Sequence, residues 1–282
     1  MILSYYLTSP FYRLTWRLFR LFRKKRKIVL YCDDAYDVVL FRTVQKYLKP
    51  VQLVAKNGQV RAKLKDMGYS SQRMPSFPDA VIMFRNMAWK FPSGKIIKIG
   101  FEHGAYNFKR FSKAHYYNRF NIFLMTSETD VARARERGIK TVRAIGFPKI
   151  DPVFDGSIVP EQLRDLAVRT GLDPKKKTLL FSSTWDGSGM SAIHKWYKRI
   201  SSLSALYNLM VTVHPWMSER CRMELKNNPD LVFIDDYEIL RYIMIADACI
   251  GDTNSLLAEF CLLDKPIITF RVPVTARTMP DV

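Results

Sequence analysis

The sequence predicts an α/β protein made of two successive doubly wound domains, preceded by a basic amphipathic helix. Three observations carry that prediction. Short, continuous apolar runs alternate with helical patterns along most of the chain, as buried parallel strands and their crossover helices do. The segment Gly146–Pro160, with three prolines and two glycines, reads as a linker that splits the alternation into two series. Polar and basic residues recur immediately after strand patterns, at the carboxyl edge where open α/β sheets bind ligands.

The first element is basic. Arg13, Arg17, Arg20, Arg23, Lys24, Lys25, Arg26 and Lys27 all precede the first acid, Asp33, and supply part of a formal net charge of +19. On a helical wheel of ~100° per residue, Arg13, Arg17, Arg20, Lys24 and Lys27 form one stripe. Phe11, Leu14, Leu18, Leu21 and Phe22 fall broadly opposite, flanked by Tyr12 and Trp16. Residues 1–27 therefore read as a helix lying in the plane of an anionic membrane surface, with Arg13, Trp16, Arg17, Arg20 and Lys24 in contact. The alternative is an ordinary amphipathic helix packed on the protein's own surface. No run of ~20 apolar residues exists to span a bilayer. The charges follow the apolar residues, unlike those of a signal peptide.

The first domain is expected over 28–152, with strands at 28–32, 51–55, 79–84, 96–101, 121–126 and 141–145 and helices including 35–48, 58–67 and 127–137. The second, over 153–282, reads as helix 160–170, strand 177–182, helix 191–204, strand 208–213, helix 217–227, strand 231–234, helix 237–245, strand 247–250, helix 254–263 and strand 266–270. Residues 272–282 are too short for a closing helix, which raises the expectation of a truncated C-terminus. With 48% hydrophobic residues, a packed core is expected rather than disorder. Cys32, Cys221, Cys249 and Cys261 occur singly, with no Cys-x-x-Cys, so reduced thiols and no structural zinc are expected.

The most informative stretch is Ala246–Arg271. An apolar strand meets an abrupt polar turn, Gly251-Asp252-Thr253-Asn254-Ser255, and then an apolar helix. Such a turn offers free N–H groups and the positive end of a helix dipole to an anion, a phosphate above all. Simple helix capping is the alternative, although four cap-type residues in a row exceed what one helix requires. Other polar groups follow strands in the same way: Glu102-His103-Gly104, Lys149 and Asp151, Thr184-Trp185, His214-Pro215, and Arg271. His115 and His194 stand in no motif and read as structural or surface residues. Asp33-Asp34 and Asp235-Asp236 read as turn starters and helix caps, so no metal is expected.

These elements resemble the CDP-glycerol glycerophosphotransferase family of teichoic acid and capsule synthesis. The resemblance spans about residues 95–271 and rests on His103-Gly104 with Lys109 downstream, GFPKID at 146–151, SSTWDG at 182–187, His214-Pro215, and GDTNSLLAEFCLLDKPIITF at 251–270. The family usually has Arg at the position of Lys149, Pro-Thr-Trp-Arg at 183–186 and Tyr-Ser-Ser or Thr-Ser-Ser at 253–255. Membership implies two Rossmann-like domains of GT-B type, the first on the acceptor side and the second binding the donor. It also implies that His103 takes a proton from the acceptor hydroxyl, a task suited to an imidazole near neutral pH. His214 would contact the donor diphosphate or help the nucleotide depart, and Asp252, Thr253, Asn254 and Ser255 would hold the phosphates. Lys149 and Arg271 are further candidates for donor charge, and Thr184 and Trp185 for the nucleotide pocket. For each of these residues a structural role at a strand end, hinge or core remains open.

The function expected on this reading is transfer of a phosphopolyol, glycerol phosphate from CDP-glycerol first, to a hydroxyl of a membrane-linked surface polymer. The expected partners are a CDP-activated donor, a lipid-linked acceptor and the cytoplasmic face of the cell membrane, with no cofactor. A GT-B glycosyltransferase using a nucleotide sugar is the alternative. A non-enzymatic basic protein binding acidic lipid or nucleic acid is a third reading, against which no nucleic-acid motif is present.

Overall fold

A computed structural model describes residues 2–48, 50–106, 110–275 and 278, with side chains from residue 8 onward. The chain divides into two compact units: residues 1–103 with 111–149, and residues 104–110 with 150–282.

Unit 1 begins with α1 (Ile2–Phe22) and continues β1 (Ile28–Cys32), α2 (Asp37–Gln45), β2 (Gln52–Ala55), α3 (Gly58–Asp66), β3 (Ser71–Arg73), β4 (Ala80–Met83), β5 (Ile97–Phe101), α4 (Ala114–Tyr117), β6 (Ile122–Met125), α5 (Glu128–Glu136) and β7 (Val142–Ala144). Its seven strands form one parallel sheet in the order β3-β2-β1-β4-β5-β6-β7. Val29, Tyr31, Val81 and Met83 pack into one cluster on a single face with Phe91, Phe123 and Met125. Leu30 and Ile82, pointing the other way, are also buried. Burial on both faces is why these strands read as unbroken apolar runs. β3, Ser-Gln-Arg, has no apolar signal because it is an exposed edge strand.

Unit 2 contains α6 (Asp151–Phe154), α7 (Pro160–Arg169), β8 (Lys177–Ser183), α8 (Ile193–Trp196), β9 (Tyr207–Val213), α9 (Glu219–Lys226), β10 (Val232–Phe233), α10 (Leu240–Ile245), β11 (Ala248–Gly251), α11 (Leu256–Cys261) and β12 (Ile267–Thr269). Its parallel sheet runs β10-β9-β8-β11-β12. Alternation along the central strands is regular: Phe181, Leu209, Val211 and Ile250 enter one core cluster, while Leu180, Met210 and Cys249 enter the other. The stretch 191–204 is not one helix but α8 followed by a 3-10 turn at Ile200–Leu203. The segment expected as a linker, Gly146–Pro160, includes a 3-10 turn at Pro148–Ile150 running into α6.

The N-terminal helix corrects part of the sequence reading. Trp16, expected at a membrane, is only 7% exposed and donates from Nε1 to the carbonyl of Pro78. Tyr12 donates to Ser76 O, Arg13 to Pro92 O, and Arg20 and Arg23 both pair with Asp79. The helix thus faces unit 1 with much of its basic stripe, because one acid and several carbonyls at 76–79 and 92 receive those donors. Of the five expected membrane contacts only Trp16 is buried; Arg17 and Lys24 are exposed, and so are Arg13 and Arg20, although each bonds to unit 1. Phe11, Leu14, Leu18, Leu21 and Phe22 are exposed as well, on the side of the helix away from Trp16.

Removing the Trp16 side chain should therefore loosen the fold. Trp16→Ala is expected to cost about 3 kcal/mol in urea unfolding, in the range for a buried aromatic truncated to Ala, and to expose α1 to protease. Arg17→Ala, on the exposed side, should change stability by no more than about 0.5 kcal/mol. Equal effects of the two would contradict this docking.

Candidate functional site

In unit 2 three adjacent strands, β9, β8 and β11, end beside one another, and each continues into a polar turn. β8 is the central strand from which the chain first winds toward β9 and β10, then crosses to β11 on its other side. Ligands of doubly wound sheets bind outside the strand ends at such a reversal.

Asp252 occupies this point. Only 2% exposed, its carboxylate accepts hydrogen bonds from the Ser183 hydroxyl, from Thr184 N at 2.8 Å and from Ala192 N at 2.7 Å. Burial raises its pKa, opposed by these donors. Asp252 therefore ties the end of β11 to the end of β8 and the turn before α8; it was expected among the phosphate ligands, and the correction is that its oxygens are spent inside the fold. Gly251 must be glycine for the same closeness: a Cβ there would lie 2.8 Å from Ser182 O.

Around this tie, Thr253 donates to Met190 O at 3.0 Å, and Asn254 Oδ1 accepts from Leu256 N at 3.0 Å. Ser255 precedes α11 with no side-chain cap bond. Thr253, Asn254 and Ser255 are each part-exposed. Gly104, whose segment belongs to unit 2, has no room for a side chain, which would meet Ser255 at 3.0 Å. Thr184 is buried, and Trp185 is half-buried with its ring edge-on to Trp216 at 5.8 Å.

His214 ends β9. Its backbone N–H donates to Ser183 O at 3.1 Å, and Nδ1 accepts from Trp216 N at 3.1 Å. An Nδ1 that accepts places the neutral ring's proton on Nε2. Trp216, 71% exposed and 5.4 Å from the His214 ring, was not singled out from the sequence. The only signal was its place two residues after a strand-ending histidine. Arg271 is exposed, with its carbonyl accepting from Lys195 Nζ at 2.6 Å.

In unit 1, His103 stands exposed at a bend after β5. Glu102 turns inward instead: it is 8% exposed and shares a small cavity wall with Phe84, Phe101, Thr126 and Lys149. Its charge adds to burial in pushing the Tyr117 phenol up to about 12. Lys149, expected as a candidate for donor charge with a structural hinge role as the alternative, is buried, its ammonium 5.4 Å over the Tyr36 ring. Asp151 is exposed in the first turn of α6. Lys109 lies outside the described residues. His103 and His214 thus belong to different units.

Unit 1 also holds a cluster that sequence reasoning missed. At the reversal between β1 and β4, Asp33 pairs with Lys56 at 3.1 Å and lies within 4.0 Å of Arg85 and Lys90, while Arg85 reaches Asp37 at 3.5 Å. Asp34 does start the expected turn, accepting from Tyr36 N, but no side chain caps α2; Asp37, in its first turn, instead accepts from Asp33 N and Asp34 N of the preceding loop. Burial lifts Asp37 to about 6 despite Arg85 and these N–H groups. Asp236 likewise starts a turn, accepting from Glu238 N, and Asp235 pairs with Arg222.

The fold matches that of known proteins. The solved wall teichoic acid polymerase TagF superposes with a TM-score of 0.65 at 13% identity, covering 86% of this chain and 69% of TagF. This places the chain in the same α/β architecture with parallel sheets. The family model for CDP-Glycerol:Poly(glycerophosphate) glycerophosphotransferase matches residues 96–275, and the chain belongs to that family. The teichoic acid ribitol-phosphate polymerase TarL of Staphylococcus aureus (strain NCTC 8325 / PS 47) is 27% identical over 157 residues, 52% of this chain and 28% of TarL. The teichoic acid glycerol-phosphate primase of Bacillus subtilis (strain 168) is 26% identical over 170 residues, 57% of this chain and 42% of the primase. The chain thus spans less than half the length of these two relatives.

Two outcomes test the electrostatics. Asp252→Ala should lower the stability of unit 2 by about 3 kcal/mol in denaturant unfolding, since bonds to a charged acceptor contribute ~1.5–3 kcal/mol and three donors lose theirs. Asp37 binds its proton more tightly folded than unfolded, so its neutral form favours the fold, and stability should fall as pH rises from 4 toward 6. Asp37→Asn should flatten that part of the profile; an unchanged slope would contradict it.

Proposed function

We propose that this chain transfers a phosphopolyol from a CDP-activated donor, glycerol phosphate from CDP-glycerol first, to a hydroxyl of a membrane-linked teichoic acid or related surface polymer. The observation that carries the reading is the set of turns after β8, β9 and β11, all within the family match. There the Thr253–Ser255 hydroxyl turn, the His214 ring and the Trp185–Trp216 pair adjoin the ends of neighbouring strands. In the proposed reaction the turn and the Nε2–H of His214 receive the donor's diphosphate, and cytosine stacks against the indoles. His103 takes the acceptor's proton, the acceptor oxygen attacks the β-phosphorus, and CMP leaves. Phosphoryl transfer of this kind depends on positioning and charge neutralisation more than on covalent chemistry by the protein.

Ribitol phosphate is a second reading for the transferred group, favoured by the likeness to a ribitol-phosphate polymerase. Incubation with CDP-glycerol, CDP-ribitol and a panel of nucleotide sugars, followed by CMP and UDP release, separates these readings from a glycosyltransferase. UDP release without CMP would end the phosphotransferase proposal. His103→Ala is expected to lower CMP release by roughly 10²–10⁴-fold, the usual scale for a general base; undiminished release would remove His103 from that role.

The proposed location is the cytoplasmic face of the membrane, supported by the exposed stripe Phe11, Leu14, Leu18, Leu21 and Phe22 with Arg17, Lys24, Lys25 and Arg26 alongside. No helix among the described residues is long and apolar enough to cross a membrane. Leu14→Asp with Leu18→Asp should reduce association with vesicles containing phosphatidylglycerol while sparing CMP release in solution. Undiminished vesicle binding would remove this surface from consideration.

A further inference from the structure

Three side chains of metal-ligating type meet in unit 2 beside the turns already described. Asp186 lies in the 3-10 turn Asp186–Ser188 after β8, His194 on α8 and Cys221 in the first turn of α9. One ligand atom from each lies within 4.8 Å of the other two. We propose that Asp186, His194 and Cys221 bind one zinc-class divalent cation, with a fourth position open to water or a small anion.

The chemistry of the set supports that choice. Thiolate and imidazole together select zinc-like ions over magnesium or calcium, and a carboxylate completes a common three-ligand set. Metal–ligand bonds of ~2.0–2.3 Å in a tetrahedron bring ligand atoms to roughly 3.5 Å of one another. The observed spread therefore closes with side-chain rotations of about an ångström, and His194, exposed on a four-residue helix, is the group free to make them.

Asp186 is already oriented. Its Oδ1 accepts from Gly187 N at 3.0 Å and Ser218 N at 3.2 Å. Desolvation would raise its pKa, but the bonds from Ser218 and Gly187 prevail and hold the carboxyl below its usual value. Such outer hydrogen bonds are what fix a ligating carboxylate. Cys221 is 2% exposed, but it and His194 border an open pocket of about 380 Å³ that provides an entry path. Binding would displace the Cys221 thiol proton to solvent, leaving a metal-bound thiolate.

The same pocket wall includes Lys198 and Arg220. Arg220 is engaged with Glu224 at 3.0 Å, and the Lys198 ammonium lies 5.8 Å from the Tyr197 ring centroid. Cations in the wall suit a hydroxide or small anion as fourth ligand. The bound ion would pin the turn that follows Trp185 to α8 and α9, bracing the indole beside His214. The ligands are 8 and 27 residues apart in sequence, so no spacing motif announces them.

Cobalt titration of the chelator-treated full chain tests the site without reference to turnover. One equivalent of Co²⁺ should give a thiolate-to-cobalt charge-transfer band and the intense visible absorption of a tetrahedral ion, both erased by Zn²⁺. Cys221→Ser should abolish the charge-transfer band, and His194→Ala should weaken binding at least tenfold. His194 is exposed, so that variant folds even if Cys221→Ser does not. A wild-type spectrum of weak six-coordinate character, or a charge-transfer band that survives in Cys221→Ser, would overturn the proposal.

Discussion

One buried carboxylate holds the second unit's strand ends in register. A doubly wound sheet must leave a gap where its winding reverses, and here the gap lies between β8 and β11. Asp252 fills it from the β11 side and gathers donors from Ser183, Thr184 and Ala192. In a low-dielectric surrounding such bonds are strong while satisfied and costly when broken. The residues next to it in sequence and space, from Trp185 to the 253–255 turn, take their positions from this anchor.

The anchor changes how the polar turn is understood. Four cap-type residues in a row suggested four phosphate ligands; the first is structural, and the other three are part-exposed. His214 is oriented by local means, its Nδ1 held by the Trp216 N–H and its own N–H held by Ser183 O. A ring fixed in this way has little freedom left to lose, which is the positioning that the proposed phosphoryl transfer would draw on.

Much of this was legible in the sequence, for identifiable reasons. Strands buried on both faces write themselves as apolar runs, so β1, β8 and β9 were placed within a residue of their ends. The exposed edge strand β3 and the broken stretch 191–204 were not, because neither has a period to read. Side-chain direction was the larger gap. The wheel drawn for the N-terminal helix separated arginines from leucines correctly, yet could not say which side faces Asp79 and the carbonyls of Ser76, Phe77 and Pro78. Glu102 and Lys149 followed strands as expected but turned inward. The ion-pair cluster at Asp33 and the Asp186–His194–Cys221 group join residues far apart in sequence, where only folding brings them together.

The account is tested most directly by determining the structure with CDP-glycerol bound. The diphosphate is predicted at the 253–255 turn beside His214 Nε2, with the cytosine against Trp185 or Trp216. Donor density instead at the Arg85–Lys90 cluster of the first unit, with the turn after β11 empty, would contradict it.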